Sequence, residues 1–246
     1  PITLDLSHVH NGRKKKDSDG SSSSSSKDEA LFCDVYPPSM PDTLLFLKVL
    51  EQEASYLQAL KPSVCVEVGC GAGPLAACLS KLLGQSTTAS LATDVSLSAM
   101  HAAKETSRRN DTPLHLARMD LVSALRPGTI DVLTCHPPYV PTSSEQLDAA
   151  HAKAAVTSSS TECMEDAAWT WAGGPNGRAV FDRMIDALPS ALSANGVAYV
   201  LFFEEAAFDQ ARLEAMGLQC RRLAEYSENG EAFVIMKIER LPVAVD

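Results

Sequence analysis

The run Cys135-His136-Pro137-Pro138-Tyr139 follows directly on the apolar stretch Ile130 to Thr134, and its residue types suit one kind of chemistry. A strand that ends in a polar side chain followed by Pro-Pro-aromatic presents one hydrogen-bonding group, one proline carbonyl and one ring around a flat amino group. Such a pocket fits methyl transfer to a planar nitrogen, which needs alignment and desolvation more than a strong base. His136, Pro137 and Tyr139 are therefore the candidate catalytic residues.

A methyl donor needs its own site, and the stretch Glu67-Val68-Gly69-Cys70-Gly71-Ala72-Gly73 has the form of one. It lies between an apolar run and a helical pattern, where glycines let the backbone approach a ligand and helix amides point at it. A dinucleotide would call for G-x-G-x-x-G, with a pyrophosphate on the helix. Here the spacing is E-x-G-x-G-x-G, headed by an acid, which favours S-adenosylmethionine with its cationic methionine end. A tight turn with incidental glycines is the plainer alternative. Asp94, after the next apolar run, stands where a carboxylate can accept both ribose hydroxyls. Asp120, in Met119-Asp120-Leu121, either contacts the exocyclic amine of adenine or caps a helix. These motifs fall in the order, and at the strand ends, that one ligand crevice requires.

The elements that must position these residues follow from periodicity. Apolar residues at helical spacing predict a helix over 41–60 with Asp42 as its N-cap. Strands are expected at 63–68, 89–93, 113–118, 130–134, 196–203, 220–226 and 231–238. Helices are expected at 74–83 (ended by Gly84), 96–109, 177–192 and 205–216. Alternation of this kind implies a doubly wound, mostly parallel α/β sheet of seven strands, closed by an antiparallel C-terminal hairpin turned at Asn229-Gly230. A long polar loop, a lid or a disposable insertion, is expected from Pro141 to about Asp166. Residues 1–30 are expected to form an N-terminal arm, with a Lys- and Ser-rich low-complexity insertion at 11–29, and 31–246 the catalytic domain.

Bulk properties exclude several classes. With 246 residues and 45% apolar content the chain can bury one sizeable core. A net charge of −10 argues against holding nucleic acid by phosphate neutralisation, so no direct nucleic-acid binding is expected. The seven cysteines include no C-x-x-C pair, so neither a disulfide framework nor a metal site is indicated. Nowhere do about 18 apolar residues run together, and Pro1 to Asp5 lack a leader's composition, so no membrane association is expected. A cytoplasmic and possibly nuclear protein is the expectation, although a chain starting without Met could be preceded by a targeting segment.

The stretches CDVYPPSMPDTLLFL, EVGCGAGPLAACLS, ATDVSLSA, MDLVSAL, CHPPYVPT and AWTWAGGPNGRAVFDRM resemble the HemK/PrmC family of protein-glutamine methyltransferases. The likeness extends over most of Cys33 to Arg240 and is strongest to the short eukaryotic and archaeal branch that acts on class I translation termination factors. It implies a Rossmann-like class I methyltransferase fold, S-adenosylmethionine as cofactor, and transfer to the amide of the Gln in a Gly-Gly-Gln loop. It also implies that Thr43, Glu67, Gly69, Gly71, Asp94, Asp120, Leu121 and His136 lie on the cofactor, while His136, Pro137 and Tyr139 meet the glutamine. A small zinc-binding activator subunit is implied as partner, docked where Leu114-His115-Leu116-Ala117 offers an edge strand; the chain's own arm is the other way to cover that edge.

Two departures stand out. The acids of the family's Glu-Pro-Ala-Glu-Asp-Thr are lost, though Asp42-Thr43 remains, and His136 replaces the usual Asn. An Asn amide accepts and donates with one coplanar group, which an imidazole cannot match, at a cost of about 1 to 3 kcal/mol in the transition state. A protonated His136 would repel a sulfonium, so activity is expected to rise with pH through its titration. The alternatives are an amino-methyltransferase for adenine, and a cofactor-binding scaffold impaired by His136.

Overall fold

The computed structural model describes residues 1–9, 32, 34–84, 88–156, 167–203, 209–228 and 231–242. The chain opens on helices α1 (Pro41–Gln52) and α2 (Ala54–Leu60), then alternates through β1 (Val64–Val68), α3 (Pro74–Leu83), β2 (Ala89–Asp94), α4 (Leu97–Asn110), β3 (His115–Arg118) and β4 (Ile130–Cys135). After a short strand β5 (Val140–Pro141) come α5 (Ser144–Val156), β6 (Ala172–Gly174), α6 (Ala179–Ala191), β7 (Leu192–Phe203), α7 (Gln210–Ala215), β8 (Leu218–Glu228) and β9 (Glu231–Arg240).

Seven strands form the main sheet in the order β3-β2-β1-β4-β7-β9-β8, and β5 pairs with β6 beside it. Strands β3 to β7 run parallel, while β9 is antiparallel to both β7 and β8. Helices cover both faces, so the central strands are buried on both sides and read as continuous apolar runs rather than alternations. Val66, Val132, Leu133, Val197, Ala198, Val200 and Leu201 are all fully buried. The order reverses between β1 and β4, and in such sheets a crevice opens at the carboxyl ends of the strands flanking the reversal. Val68 pairs with Cys135 there, so the glycine loop and His136 leave the sheet side by side.

Several expectations are corrected. The predicted helix over 41–60 is interrupted at Glu53, whose side chain accepts from Lys237 Nζ at 2.9 Å and from the Tyr199 hydroxyl at 3.0 Å. Lys237 is itself buried, and a buried charge must be paired, so the corner between α1 and α2 is tied down over β7 and β9. Met40 occupies the N-cap in place of Asp42, with Pro41 opening the helix. The expected loop from Pro141 contains the strand β5 and the helix α5; the polar, alanine-rich sequence that read as a loop is a good helix former packed by Leu147, Ala150 and Ala154. The C-terminal helix is described only from Gln210, and the low-complexity insertion, the Asn229-Gly230 turn and the part of the long loop from 157 to 166 lie outside the described residues. The described part of the arm lies on α4: Asp5 N–H and the Asn110 side chain bond each other's neighbourhood at 2.7 and 2.8 Å, and His8 Nε2 reaches the Ala102 carbonyl at 3.1 Å. Among the described residues β3 is therefore paired on one side only, with β2. No described helix is long and apolar enough to cross a membrane.

Candidate active site

One crevice at the carboxyl ends of β1, β2 and β4 is lined by Thr43, Glu67, Gly69, Asp94, Asp120 and His136. Gly71, Leu121, Pro137 and Tyr139 lie along the same walls, so the fold brings together every residue that the sequence proposes for the site.

The β1 half is built from short-range backbone bonds. Glu67, the fourth residue of β1, accepts from Ala76 N–H at 2.7 Å and Leu75 N–H at 3.3 Å, the free amides of the first turn of α3. Burial lifts its carboxyl to about 8, against the lowering by those two bonds. Asp94, at the end of β2, accepts from Gly71 N–H at 3.0 Å and Ser96 N–H at 2.8 Å, and burial raises its carboxyl as well. Gly71 sits at φ +51°, a conformation that L side chains rarely adopt, and this turn aims its amide at Asp94. Leu121 also has a positive φ, and its carbonyl accepts from the Thr93 hydroxyl at 3.1 Å. Asp120 is neither a cap nor free: it pairs with Arg183 of α6, a crevice residue inside the stretch AWTWAGGPNGRAVFDRM to which the sequence assigns no role of its own.

The β4 half is built from side chains. His136 Nε2 lies 3.1 Å from Oδ2 of Asp42, and the same oxygen accepts from the hydroxyls of Tyr36 at 2.8 Å and Tyr139 at 3.0 Å. Oδ1 accepts from Thr43 N–H at 2.7 Å. Burial works to raise the Asp42 carboxyl, but the hydrogen bond from His136 and the charge that ring can carry, then the bonds from Tyr36 and Thr43 N–H, outweigh it and hold it at about 2. The same surroundings push the Tyr36 hydroxyl far above its ordinary value, through burial first and the Asp42 charge second. The His136 and Tyr139 rings are parallel within 6° at 6.0 Å, and Phe233 of β9 backs Tyr139 at 5.0 Å. Tyr36 and Asp42 are thus site residues that the motifs missed; the retained Asp42-Thr43 pair was the available signal.

The Trp171-to-Gly177 segment supports this half from outside. Val140 N–H donates to the Trp171 carbonyl at 2.9 Å and Thr142 N–H to the Gly174 carbonyl at 3.0 Å, which locks the chain leaving Pro138-Tyr139 onto β6. Gly177 has φ +68°, and a Cβ placed on it would come within 2.0 Å of the Tyr139 carbonyl oxygen. Only glycine fits that close approach.

Both the β1 half and the crevice wall suit S-adenosylmethionine. Two buried acidic side chains, Glu67 and Asp94, line a space that backbone approaches closely, as a cationic amino acid joined to a nucleoside requires. Trp169 Nε1, in the same wall, is buried with no hydrogen-bond partner among the described residues.

Fold and crevice together define a class I methyltransferase. The "Methyltransferase small domain" family matches residues 41–162. "Methyltransferase HEMK2" of Mus musculus is 34% identical over 177 residues, covering 71% of this chain and 74% of that protein. The "eRF1 methyltransferase catalytic subunit mtq2" of Schizosaccharomyces pombe is 31% identical over 182 residues, covering 69% and 73%. Among solved structures, the E. cuniculi Mtq2–Trm112 complex, responsible for methylation of the eRF1 translation termination factor, aligns with a TM-score of 0.58 at 25% identity, covering 84% of this chain and 99% of that one. The chain belongs to the HEMK2/Mtq2 branch of the HemK-type protein-glutamine methyltransferases.

Proposed function

We propose that this enzyme methylates the side-chain amide of the glutamine in the Gly-Gly-Gln loop of a class I translation termination factor, using S-adenosylmethionine. The observation that carries the reading is that the glycine loop and His136-Pro137-Pro138-Tyr139 open from paired strand ends into a single crevice. Support for the substrate comes from the relatives, whose names specify eRF1 methylation.

The bound cofactor supplies an electrophilic methyl group on a sulfonium. Glu67 and the Gly69-to-Gly73 loop would hold its amino-acid end, and Asp94 its ribose. Asp120, Leu121 and Trp169 would border the adenine. On the acceptor side, Pro137 offers its carbonyl to one amide proton and His136 an imidazole nitrogen to the other. The parallel rings of His136 and Tyr139 flatten the space so that the nitrogen faces the donor and water is kept out. The half-buried, singly paired β3 fits a small zinc-binding activator subunit that adds a strand along Leu114 to Ala117.

The test is mass spectrometry of the Gly-Gly-Gln peptide after a termination factor is incubated with this chain, its activator and S-adenosylmethionine. One added methyl on that glutamine is expected. An unmodified glutamine, with cofactor binding and activator assembly both demonstrated, would sink the reading in favour of an inactive scaffold.

A further inference from the structure

Oδ2 of Asp42 takes the hydroxyls of Tyr36 and Tyr139 and Oδ1 takes the Thr43 N–H, the pattern of a carboxylate, which can only accept hydrogen bonds. His136 Nε2, 3.1 Å from it, must therefore carry a proton. In the neutral ring the other nitrogen, Nδ1, is then a bare lone pair. Among the described residues Nδ1 meets only the Thr43 hydroxyl, at 3.5 Å, the outer limit of a hydrogen bond, so it is the ring atom left for a substrate. The opposite tautomer would present an N–H to an amide N–H, donor against donor. Asp42 also takes the Tyr139 hydroxyl, so one carboxylate sets both the proton position and the two parallel rings.

We propose that Asp42 is a positioning residue for the transfer: it locks His136 in the Nε2–H form, so that Nδ1 accepts a hydrogen bond from the substrate amide. The chemical purpose rests on the glutamine-methylation reading; the tautomer does not. As the N–CH3 bond forms and the S–CH3 bond breaks, sulfur keeps its electron pair. The acidic proton left on the methylated nitrogen passes to Nδ1, and the imidazolium so formed is stabilised by Asp42.

The test has two arms. In long-range 1H–15N spectra of the full chain with labelled histidines, the pattern that vanishes in His136→Asn identifies this ring. In the neutral ring a proton on Nε2 and a bare Nδ1 are expected in the unsubstituted chain, and in Asp42→Asn the proton should redistribute toward Nδ1. A proton on Nδ1 in the unsubstituted chain overturns the proposal, and that spectrum decides it even if Asp42→Asn does not fold. In the second arm, kcat and KM are compared for the unsubstituted chain, Asp42→Asn, His136→Asn and the double variant. Asp42→Asn should lower kcat roughly tenfold or more with KM for S-adenosylmethionine little changed, and should cost clearly less in the His136→Asn background, where of its contacts with the acceptor residues only that to Tyr139 remains to be lost. An equal loss in both backgrounds would show that Asp42 acts independently of His136 and overturn the proposal. A chain without methylating activity would count against the substrate reading, while the spectra still settle the tautomer.

Discussion

The two halves of the crevice are assembled by different physics. At the β1 end the carboxyls rest mainly on amides close in sequence, Glu67 on Leu75 and Ala76 and Asp94 on Ser96 two residues on, with one longer bond from Gly71 N–H joining Asp94 to the glycine loop. At the β4 end, Asp42 and Tyr139 meet across 97 positions, and His136, Tyr36 and Thr43 join them only because α1 packs over the end of β4. The first half is a property of a strand–turn–helix unit, so it appears as a spacing motif. The second is a property of the packed molecule. Binding the methyl donor and aligning the acceptor should therefore be separable.

The largest effect that tests this separation is expected from Gly177→Ala. The new methyl collides with the Tyr139 carbonyl, and a displacement near 1 Å at a reacting group costs about a hundredfold in rate. Turnover should fall by that order while S-adenosylmethionine affinity, read by calorimetry, stays within a few fold; equal losses in both would break the division between the halves. Next, Asp94→Ala should weaken S-adenosylmethionine binding roughly ten- to a hundredfold, because it removes the proposed ribose acceptor and leaves the Gly71 and Ser96 amides without their acceptor. The His136 imidazole signals should not move, and a shift in them would show that the halves communicate.

The smallest effect is one of pH. Glu67, raised to about 8 by burial, is protonated at neutral pH in the free protein, whereas a cationic ligand end favours its carboxylate. Binding should then release a proton below about pH 8, and affinity should rise as pH climbs toward that value, by at most about tenfold per unit. Calorimetry in buffers of different ionisation heat measures the release, and Glu67→Gln should abolish it. A release that persists in Glu67→Gln would assign the titration to another group.

Legibility in the sequence follows the same division. The strands, α3 with its Gly84 stop and α4 are local patterns, and the structure keeps them within a residue or two, apart from β7, which begins at Leu192 where 196 was expected, and Ser96, which caps α4 instead of opening it. Asp42 reads locally as an N-cap because a short acid before an apolar helical run usually is one. Its true partners are aromatic residues from other elements, invisible to any window of sequence. The helix α5 was hidden for the opposite reason: its alanine-rich, weakly amphipathic sequence gives little periodicity, and only packing against Trp169 and Ala172 distinguishes it from a loop. Arg183 sits on the polar side of a well-patterned helix, and nothing in its spacing announces Asp120 as its partner.

By itself the sequence determined the doubly wound sheet, the glycine loop with its two carboxylates and the Pro-Pro-Tyr acceptor frame, because each depends on hydrogen bonds and steric limits spanning a few residues. Only the tertiary structure decided how His136 is held, which of its nitrogens meets Asp42 and why Gly173, Gly174 and Gly177 must be small, since these depend on close approaches between segments that meet only when the core is packed.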